Sequence, residues 1–386
     1  MNLSPHDQEH CRDLVTQLLD RTLYDCGELG LGTVHTGTHA DLNATRWKKL
    51  QSHPDVTLYA DRNPNAAWLP VMNREDWGQP VAVVTVGQVD CSLDDLLLAL
   101  LSPSVATIKL RGVLMGRRPE TNLELIQIVK PTEEAPFQSL CLTRFVNTQH
   151  WPLTMFVGPR EMVIAFATGE VVTANGQRFG YEFILSVPLL KKNANESEMP
   201  RTQMLETRVF WERPDGSVGM YSKLIVDIRN RLPESMKQGM LCRGVMRFWK
   251  FIPRCVETKK LRWCLKYKKA LSCVLQNQPQ VLGGPASCGG CGARTLKFAN
   301  TGDGNLKKRG GNRCELCDVW LCLKSSCRAS CQVTVVLSHG TDIFEKEIAL
   351  CPRCISFSGN QSAANIARSE LLETRHVSRG RVDQQV

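Results

Sequence analysis

Closely spaced pairs of cysteines near the C-terminus constrain this chain more than any other feature of its sequence. Nine of the 17 cysteines fall between residues 288 and 354. Eight of them form four pairs, and three pairs have the C-x-x-C spacing that lets two sulfurs of one turn reach a single tetrahedral ion. We therefore predict eight thiolate ligands for two structural zinc ions. The pairs are Cys288 with Cys291, Cys314 with Cys317, Cys322 with Cys327, and Cys351 with Cys354.

The order of the pairs predicts that the two metal sites interleave. Only four residues separate Cys317 from Cys322, which is too few for neighbouring pairs each to close around their own ion. We expect the first and third pairs on one zinc, and the second and fourth on the other. Either Cys327 or Cys331 suits the sixth ligand position, and we favour Cys327. Because the segment is short and glycine-rich, metal binding must supply most of its folding free energy, about 10 to 16 kcal/mol per zinc.

Other uses of paired cysteines fit the sequence less well. A redox pair belongs at a strand-to-helix turn, whereas Cys288 and Cys291 lie among glycines and prolines. Disulfides need an oxidising compartment, and the polar N-terminus has no secretory signal. A run of about 20 apolar residues that would span a bilayer is also missing from the sequence. We expect a reduced, cytoplasmic protein.

The cysteine segment resembles a FYVE-type zinc finger, a family that recognises phosphatidylinositol 3-phosphate on endosomal membranes. The resemblance rests on the C-x-x-C-x4-C run from Cys314 to Cys322, with Trp320 and Leu321 before its last cysteine, and on the sequence 350–354. The chain departs from the family where the lipid is held, since Asn312 and Arg313 replace a basic double-histidine motif. The resemblance implies a protein peripheral to endosomal or other internal membranes.

Basic residues offer contacts for an anionic membrane surface. We predict that Lys307, Lys308, Arg309 and Arg313 contact a lipid headgroup, each contributing about 1 kcal/mol near such a surface. The stretch 243–269 contains ten Lys or Arg residues and one acidic residue, and we expect it to face an acidic surface. Nucleic acid is disfavoured as a partner because the sequence has no zinc-finger spacing of paired histidines, no helix-turn-helix pattern and no RNA-binding motif.

The first 252 residues predict an α+β domain. A helix is expected over 5–29, and strands over 56–60, 66–71 and 81–89, before a short helix capped by Ser92. Hairpins are predicted at Asn175-Gly176 and at 214–216, because these residues favour tight turns. A long helix beginning at Pro233 follows, and Pro253 is expected to stop or kink it.

This order of elements resembles the START (steroidogenic-acute-regulatory-related lipid-transfer) fold, in which a curved antiparallel sheet grips a long C-terminal helix. The segments that carry the resemblance are 85–97, 158–163, 167–169, 175–181 and 186–187. The resemblance extends to proteins that fuse such a domain to a FYVE-like finger, and it implies a cup around a lipid. A filled core without a cavity is the alternative. The predicted lining consists of Phe166, Tyr181, Phe183, Met220, Tyr221, Met236, Met240 and Phe248.

The resulting domain plan has four parts: a START-like helix-grip domain over 1–276, a linker over 277–287, a finger over 288–357 and a tail over 358–386. The tail is polar and is expected to be disordered or a single loose helix.

The sequence favours a non-enzymatic lipid-binding or lipid-transfer protein that docks on anionic, phosphoinositide-containing membranes. It has no phosphate-binding glycine loop, no Gly-x-Ser-x-Gly elbow and no H-E-x-x-H motif. A protein-interaction scaffold is the main alternative. A RING-like ubiquitin ligase would use the same cross-brace, but RING domains commonly place a histidine among the central ligands and no histidine lies between Cys288 and Cys331.

Overall fold

The computed structural model describes residues 3–31, 42–62, 77–78, 80–116, 121–147, 158–187, 201–227, 232–271, 287–293, 311–322, 324–339 and 342–371. The chain divides into two compact units. The first comprises Met1–Pro253 with Ala367–Val386, and the second comprises Arg254–Ile366. The predicted strand over 66–71 and the predicted linker over 277–287, except for Ser287, lie outside the described residues.

A nine-stranded antiparallel sheet forms the centre of the first unit. Its strand order is β1-β2-β3-β9-β8-β7-β6-β5-β4, so that β9 returns to pair with β3 in the middle of the sheet. The α+β class predicted from the sequence is therefore confirmed, as a large antiparallel sheet with helices. The strands are β1 (Trp47–His53), β2 (Val56–Asp61), β3 (Val81–Val89), β4 (Thr121–Val129), β5 (Ser139–Asn147), β6 (Arg160–Val172), β7 (Arg178–Ser186), β8 (Gln203–Glu212) and β9 (Val218–Asp227).

Both predicted hairpins form, through loops in which a glycine is the left-handed residue. Gly176 joins β6 to β7 with a φ of 80°, and Gly216 joins β8 to β9 with a φ of 82°. In the first loop the N–H of Gly176 donates to the carbonyl of Thr173, and the N–H of Thr173 donates to the carbonyl of Gln177. This pattern is that of a three-residue loop with a bulge, in which only the glycine needs a positive φ.

Four helices accompany the sheet: α1 (Pro5–Glu28), α2 (Leu93–Leu100), α3 (Val105–Leu114) and α4 (Glu234–Lys266). Polar side chains define where these helices begin, since Ser4 and Asp7 form a capping box at α1. Ser92 accepts from the N–H of Asp95 at the start of α2, as its sequence position predicts.

Helices cover the central strands on both faces of the sheet, and the side chains alternate between these faces along each strand. On one face, Phe183 and Trp211 share a core with Leu18 of α1. On the other face α2 packs closely, since a Cβ at Gly180 would lie 3.0 Å from a side-chain carbon of Leu93. Successive residues of one strand therefore belong to two different cores.

We call the face that packs against α2 the second face. Helix α4 approaches this face closely where a glycine leaves room for it. A Cβ added to Gly87 on β3 would lie 2.9 Å from Cη2 of Trp249 on α4, and 2.4 Å from the carbonyl oxygen of Asp55. The structure thus has the long helix predicted after the last strands, and this helix contacts the antiparallel sheet at Gly87.

Pro253 does not end α4, contrary to one of the two outcomes predicted for it. The helix runs for 33 residues through this proline. An internal proline removes one backbone hydrogen bond and costs roughly 3 kcal/mol. The fully buried Ile252 and Cys255 on either side of Pro253 offset that cost by removing apolar surface from water.

The second unit begins with the C-terminal half of α4 and continues with two small hairpins and two short helices. One hairpin pairs β10 (Gly311–Arg313) with β11 (Trp320–Cys322), and the other pairs β12 (Gln332–His339) with β13 (Asp342–Ala349). The helices are α5 (Ser325–Cys331) and α6 (Pro352–Gly359).

A further helix, α7, covers residues 363–371 and buries Ala363, Ile366 and Ala367. Of the two outcomes predicted for the tail, the helix is the one found in this part, where the few apolar residues of the segment share one helix face. Residues 372–386 lie outside the described residues.

Among the described residues, no single helix is long and apolar enough to cross a membrane. Helices α2 and α3 together meet the length and composition required, with a bend of 108° between them.

Candidate functional site

Eight cysteine sulfurs of the second unit gather into two groups of four. Within each group the sulfurs all lie within 4.8 Å of one another. We name the groups the first cysteine site and the second cysteine site. Their members interleave along the chain in the order that the spacing predicts. The first cysteine site contains Cys288, Cys291, Cys322 and Cys327, and the second contains Cys314, Cys317, Cys351 and Cys354.

The first half of each site is a C-x-x-C turn with the same backbone geometry. Gly292 follows the turn of the first cysteine site with a φ of 70°, and Asp318 follows that of the second with a φ of 62°. The N–H of Gly292 donates to the carbonyl of Cys288 at 2.8 Å, and the N–H of Asp318 donates to the carbonyl of Cys314 at 2.9 Å. Each hydrogen bond closes a compact turn that carries both sulfurs of its pair.

The second half of each site comes from an element further along the chain. Cys322 ends β11 and Cys327 lies on α5. Cys351 is the N-cap residue of α6, where its side chain makes no capping hydrogen bond, and Pro352 begins the helix. Cys354 then lies one helical turn after Cys351. Secondary structure therefore brings sulfurs that are distant in sequence to the two turns.

Backbone amides point at several of the sulfurs. The N–H of Cys322 donates to Sγ of Cys288 at 3.1 Å, and the N–H of Cys351 donates to Sγ of Cys314 at 3.3 Å. Burial raises the pKa of the Cys288 thiol, but the amides of Cys322, Cys291 and Gly290 outweigh it and lower that pKa to about 6. These donors stabilise the thiolate, which is the form that binds metal.

The distances between sulfurs fit tetrahedral metal ions. With zinc–sulfur bonds of about 2.3 Å, two ligands of one tetrahedral ion lie about 3.8 Å apart. The sulfurs of Cys288 and Cys327 are 3.5 Å apart, and those of Cys291 and Cys322 are also 3.5 Å apart. All are free thiols, and disulfide sulfurs would be only about 2.05 Å apart. The donor set and the spacing therefore fit a structural metal ion at each site.

Cysteine sulfur makes up much of the core of the second unit. Around the sulfurs pack a few aliphatic side chains, among them Leu316, Leu321 and Val335. Leu261 and Cys264 of α4 belong to the same core, so the C-terminal half of this helix is part of the cysteine-rich unit. The compact unit consequently begins at Arg254 rather than at the boundary near residue 288 that the sequence suggested.

Two cations of the basic stretch within α4 are engaged inside this unit, whereas others, such as Arg247 and Lys266, are exposed. Lys260 is 4% exposed, and its ammonium group donates to the carbonyl of Gly359 at 2.7 Å. The guanidinium group of Arg262 donates to the carbonyl of Val336 at 2.9 Å. The expectation that this stretch presents its charges to an acidic surface is wrong for these two residues, because burying the helix in the core takes their charged ends to backbone acceptors.

The residues predicted to contact a lipid headgroup are only partly described. Lys307, Lys308 and Arg309 lie outside the described residues. Arg313 is exposed, and its guanidinium group pairs with the carboxylate of Asp318 at 2.8 Å. Its charge is therefore shared with an acidic neighbour on the turn of the second cysteine site.

The residues predicted to line a lipid cavity lie on both faces of the sheet. Tyr181, Phe183 and Tyr221 belong to the core that contains α1. Phe166 belongs to another core cluster, and Phe248 of α4 contacts the same face of the sheet through Arg208. The eight residues cannot line one cavity as the sequence interpretation required, because strand alternation sends them in opposite directions.

The other three predicted lining residues also differ in their environments. Met220 is fully buried, and it points away from the α1 face because Tyr221 points toward it. Met240 is half-buried, whereas Met236 is 45% exposed near the start of α4. A site beneath α4 would thus use Phe166, Met220 and Phe248 from the predicted set.

A buried network of four charged side chains lies on this second face and was missed by the sequence analysis. Glu182 is fully buried and bonds to both Arg111 and Arg208, and Arg208 also bonds to Glu206. The guanidinium carbon of Arg208 lies 3.6 Å from the ring centre of Phe248. Burial raises the pKa of Glu182, but the positive charges of Arg111 and Arg208 outweigh it and lower that pKa below its ordinary value.

The comparisons with known proteins identify structural similarity without identifying a family. No protein-family model matches the chain, and neither does any curated protein. The structure is similar to human StAR-related lipid transfer protein 5, with 13% identity, a TM-score of 0.42, and coverage of 64% of this chain and 97% of that one. It is also similar to a STAR-related lipid transfer protein fragment from Xanthomonas axonopodis, with 13% identity, a TM-score of 0.35, and coverage of 55% and 98%.

Proposed function

We propose that this chain is a non-enzymatic lipid-binding protein whose cysteine-rich unit is held together by two structural zinc ions. The observation that carries the zinc part of the proposal is the gathering of eight free thiols into two groups of four at ligand spacing. Four thiolates in a tetrahedral arrangement select zinc or iron, and closed sites of this kind are structural when zinc fills them. The ligands are the eight residues of the two cysteine sites.

The lipid part of the proposal draws on the second face of the sheet. There a wide antiparallel sheet is covered by α2, α3 and the first half of α4. Aromatic side chains such as Phe166 and Phe248 lie beside the buried charges of Arg111 and Arg208. Binding sites for small apolar molecules combine apolar walls with a few polar groups that orient the ligand. This face has that composition, and we propose that a lipid binds there.

Membrane docking is proposed to depend on the basic residues 307–309. The charges of Lys260 and Arg262 are engaged within the second unit, and Arg313 is paired with Asp318. We propose Lys307, Lys308 and Arg309 as contacts for phosphoinositide or other anionic headgroups at endosomal or other internal membranes. Their attraction to such a surface should weaken as salt rises.

A protein-interaction scaffold is the second candidate function. The engagement of Lys260 and Arg262 inside the unit favours it, because fewer cations are left for a membrane. In that case the first unit, which contains the nine-stranded sheet and which we call the sheet unit, carries no lipid. The second, cysteine-rich unit then contacts protein.

Native mass spectrometry of the full, reduced chain tests the main proposal, since it counts zinc and weighs any retained lipid in one spectrum. We expect two zinc ions together with the added mass of a lipid. Two zinc ions without lipid, after expression in cells and after incubation with mixed lipid vesicles, would favour the scaffold. A chain without metal would refute the zinc assignment.

Flotation with vesicles that contain or lack phosphoinositide tests the docking surface. We expect binding to fall with salt and to fall further when Lys307, Lys308 and Arg309 are changed to Gln. A matched control changes the exposed Lys48, Lys130 and Lys250 to Gln, which removes the same net charge elsewhere. Equal losses in the two triple variants would show that net charge, and not these three residues, governs binding.

A further inference from the structure

Cys331 is a ninth cysteine that contacts the first cysteine site without being one of its four members. It is 3% exposed, and its sulfur lies 4.0 Å from Sγ of Cys327. This separation is close to the approximately 3.8 Å expected between two sulfur ligands of one zinc ion. Residues 288–354 contain nine cysteines, so Cys331 is the one left over when both sites have four.

The helix α5 places Cys327 and Cys331 on the same side. They are four residues apart, which corresponds to neighbouring positions on one helix face. Both sulfurs lie against the turn that carries Cys288, because a Cβ added to Gly290 would lie 2.4 Å from Sγ of Cys327 and 3.0 Å from Sγ of Cys331. The absence of a side chain at Gly290 thus lets two thiols, rather than one, approach this turn.

We propose that Cys331 is a reserve ligand of the first cysteine site, able to bind the metal ion in place of Cys327. The proposal rests on the zinc assignment above and adds an alternative ligand set to it: Cys288, Cys291, Cys322 and Cys331. When Cys327 is lost or blocked, a small movement of α5 brings Sγ of Cys331 to the fourth position. The ion keeps four sulfur ligands through this exchange.

The second cysteine site is the internal reference for this idea. Its four members are Cys314, Cys317, Cys351 and Cys354, and the one remaining cysteine of 288–354, Cys331, contacts the first cysteine site instead. Loss of one sulfur there should be uncompensated. The same chemical change should consequently have different results at the two sites.

Zinc is counted by native mass spectrometry in the full, reduced chain and in four variants. We expect two zinc ions in the parent chain and in Cys327→Ser, and also in Cys331→Ser, where the primary ligands are complete. We expect one zinc ion in the double variant Cys327→Ser/Cys331→Ser and one in Cys354→Ser. Loss of one zinc in Cys327→Ser alone would overturn the proposal.

Cobalt(II) substitution tells a reserve sulfur from a water molecule in the vacated position. The charge-transfer absorption from sulfur to cobalt reports the number of thiolate ligands. We expect Cys327→Ser to keep the four-sulfur intensity at both sites and the double variant to lose it at one. An intensity in Cys327→Ser that matches three sulfurs at one site would overturn the reserve role. A parent chain with fewer than two zinc ions would instead refute the zinc assignment itself.

Discussion

Removing the negative charge of Glu182 should destabilise the sheet unit severely. The carboxylate is fully buried and bonds to two arginines, whose own side chains are 9% and 4% exposed. In Glu182→Gln these arginines stay buried, and Glu206, which bonds to Arg208, is the carboxylate that remains in the described network. Removing one partner of a buried ion pair typically costs about 3 to 5 kcal/mol, because a charge is left without compensation.

The assay is thermal or denaturant unfolding followed by circular dichroism, with Glu170→Gln as the matched control. Glu170 pairs with Arg178 near the surface, where such pairs contribute about 0 to 1 kcal/mol. For a unit of roughly 250 residues, the loss of about 3 to 5 kcal/mol expected for Glu182→Gln corresponds to a fall in Tm of about 6 to 20 °C. The account of the network is refuted if the two variants unfold at the same temperature.

The pH dependence gives the same prediction an independent check. The folded pKa of Glu182 is lowered, so this carboxylate contributes stability above its unfolded pKa of about 4.3. That contribution is lost as pH falls through the lower folded pKa. The difference in stability between the parent chain and Glu182→Gln should therefore be largest near neutral pH and should shrink below about pH 4. A difference that stays constant down to acid pH would contradict the electrostatic explanation.

Three smaller predictions concern close contacts. Gly87→Ala should destabilise the sheet unit by about 1 to 3 kcal/mol, because the backbone carbonyl of Asp55 blocks the new methyl group. Gly244→Ala, at an exposed position of α4 with open space around it, should stabilise the chain by about 0.5 to 1 kcal/mol, because alanine favours the helix over glycine. Denaturant unfolding curves measure the change in the free energy of unfolding for both glycine variants. Gly290→Ala should weaken zinc binding at the first cysteine site only, because the new methyl group would lie against Sγ of Cys327. Competition with a chelator measures the affinity, and equal weakening at both sites would contradict this reasoning. Lys260→Met should lower the stability of the second unit by about 1 to 3 kcal/mol, and the same change at exposed Lys250 should have little effect; denaturant titration distinguishes them.

Features set by local chemistry were predictable from the sequence. The glycines at 176 and 216 mark the two hairpins, Ser92 marks the start of α2, and cysteine spacing indicates the interleaved grouping of the sulfurs. The hairpins and the helix start depend on residues close together in the chain, and the grouping of the sulfurs follows from the short interval between Cys317 and Cys322. The boundaries of β3 were also obtained in full, because an apolar run there begins and ends sharply.

Features set by pairing of distant segments were not predictable in this way. Strand register decides that Tyr181 and Phe166 point to opposite faces, and a single sequence carries little information on register. Glu182 lies in a strand where a charged residue would ordinarily be exposed, and only the approach of Arg111 from α3 makes its burial possible. Likewise, the charged groups of Lys260 and Arg262 on α4 bond to carbonyls about 75 to 100 residues later in the chain.

The zinc content of the reduced chain tests the central claim most directly. We predict two zinc ions per chain, and we predict that a strong chelator removes them and unfolds residues 288–357, as seen by the appearance of rapid amide exchange across that segment. The sheet unit should retain its slow exchange under the same conditions. Slow exchange that persists throughout residues 288–357 after complete removal of metal would contradict the claim that bound metal holds this unit together.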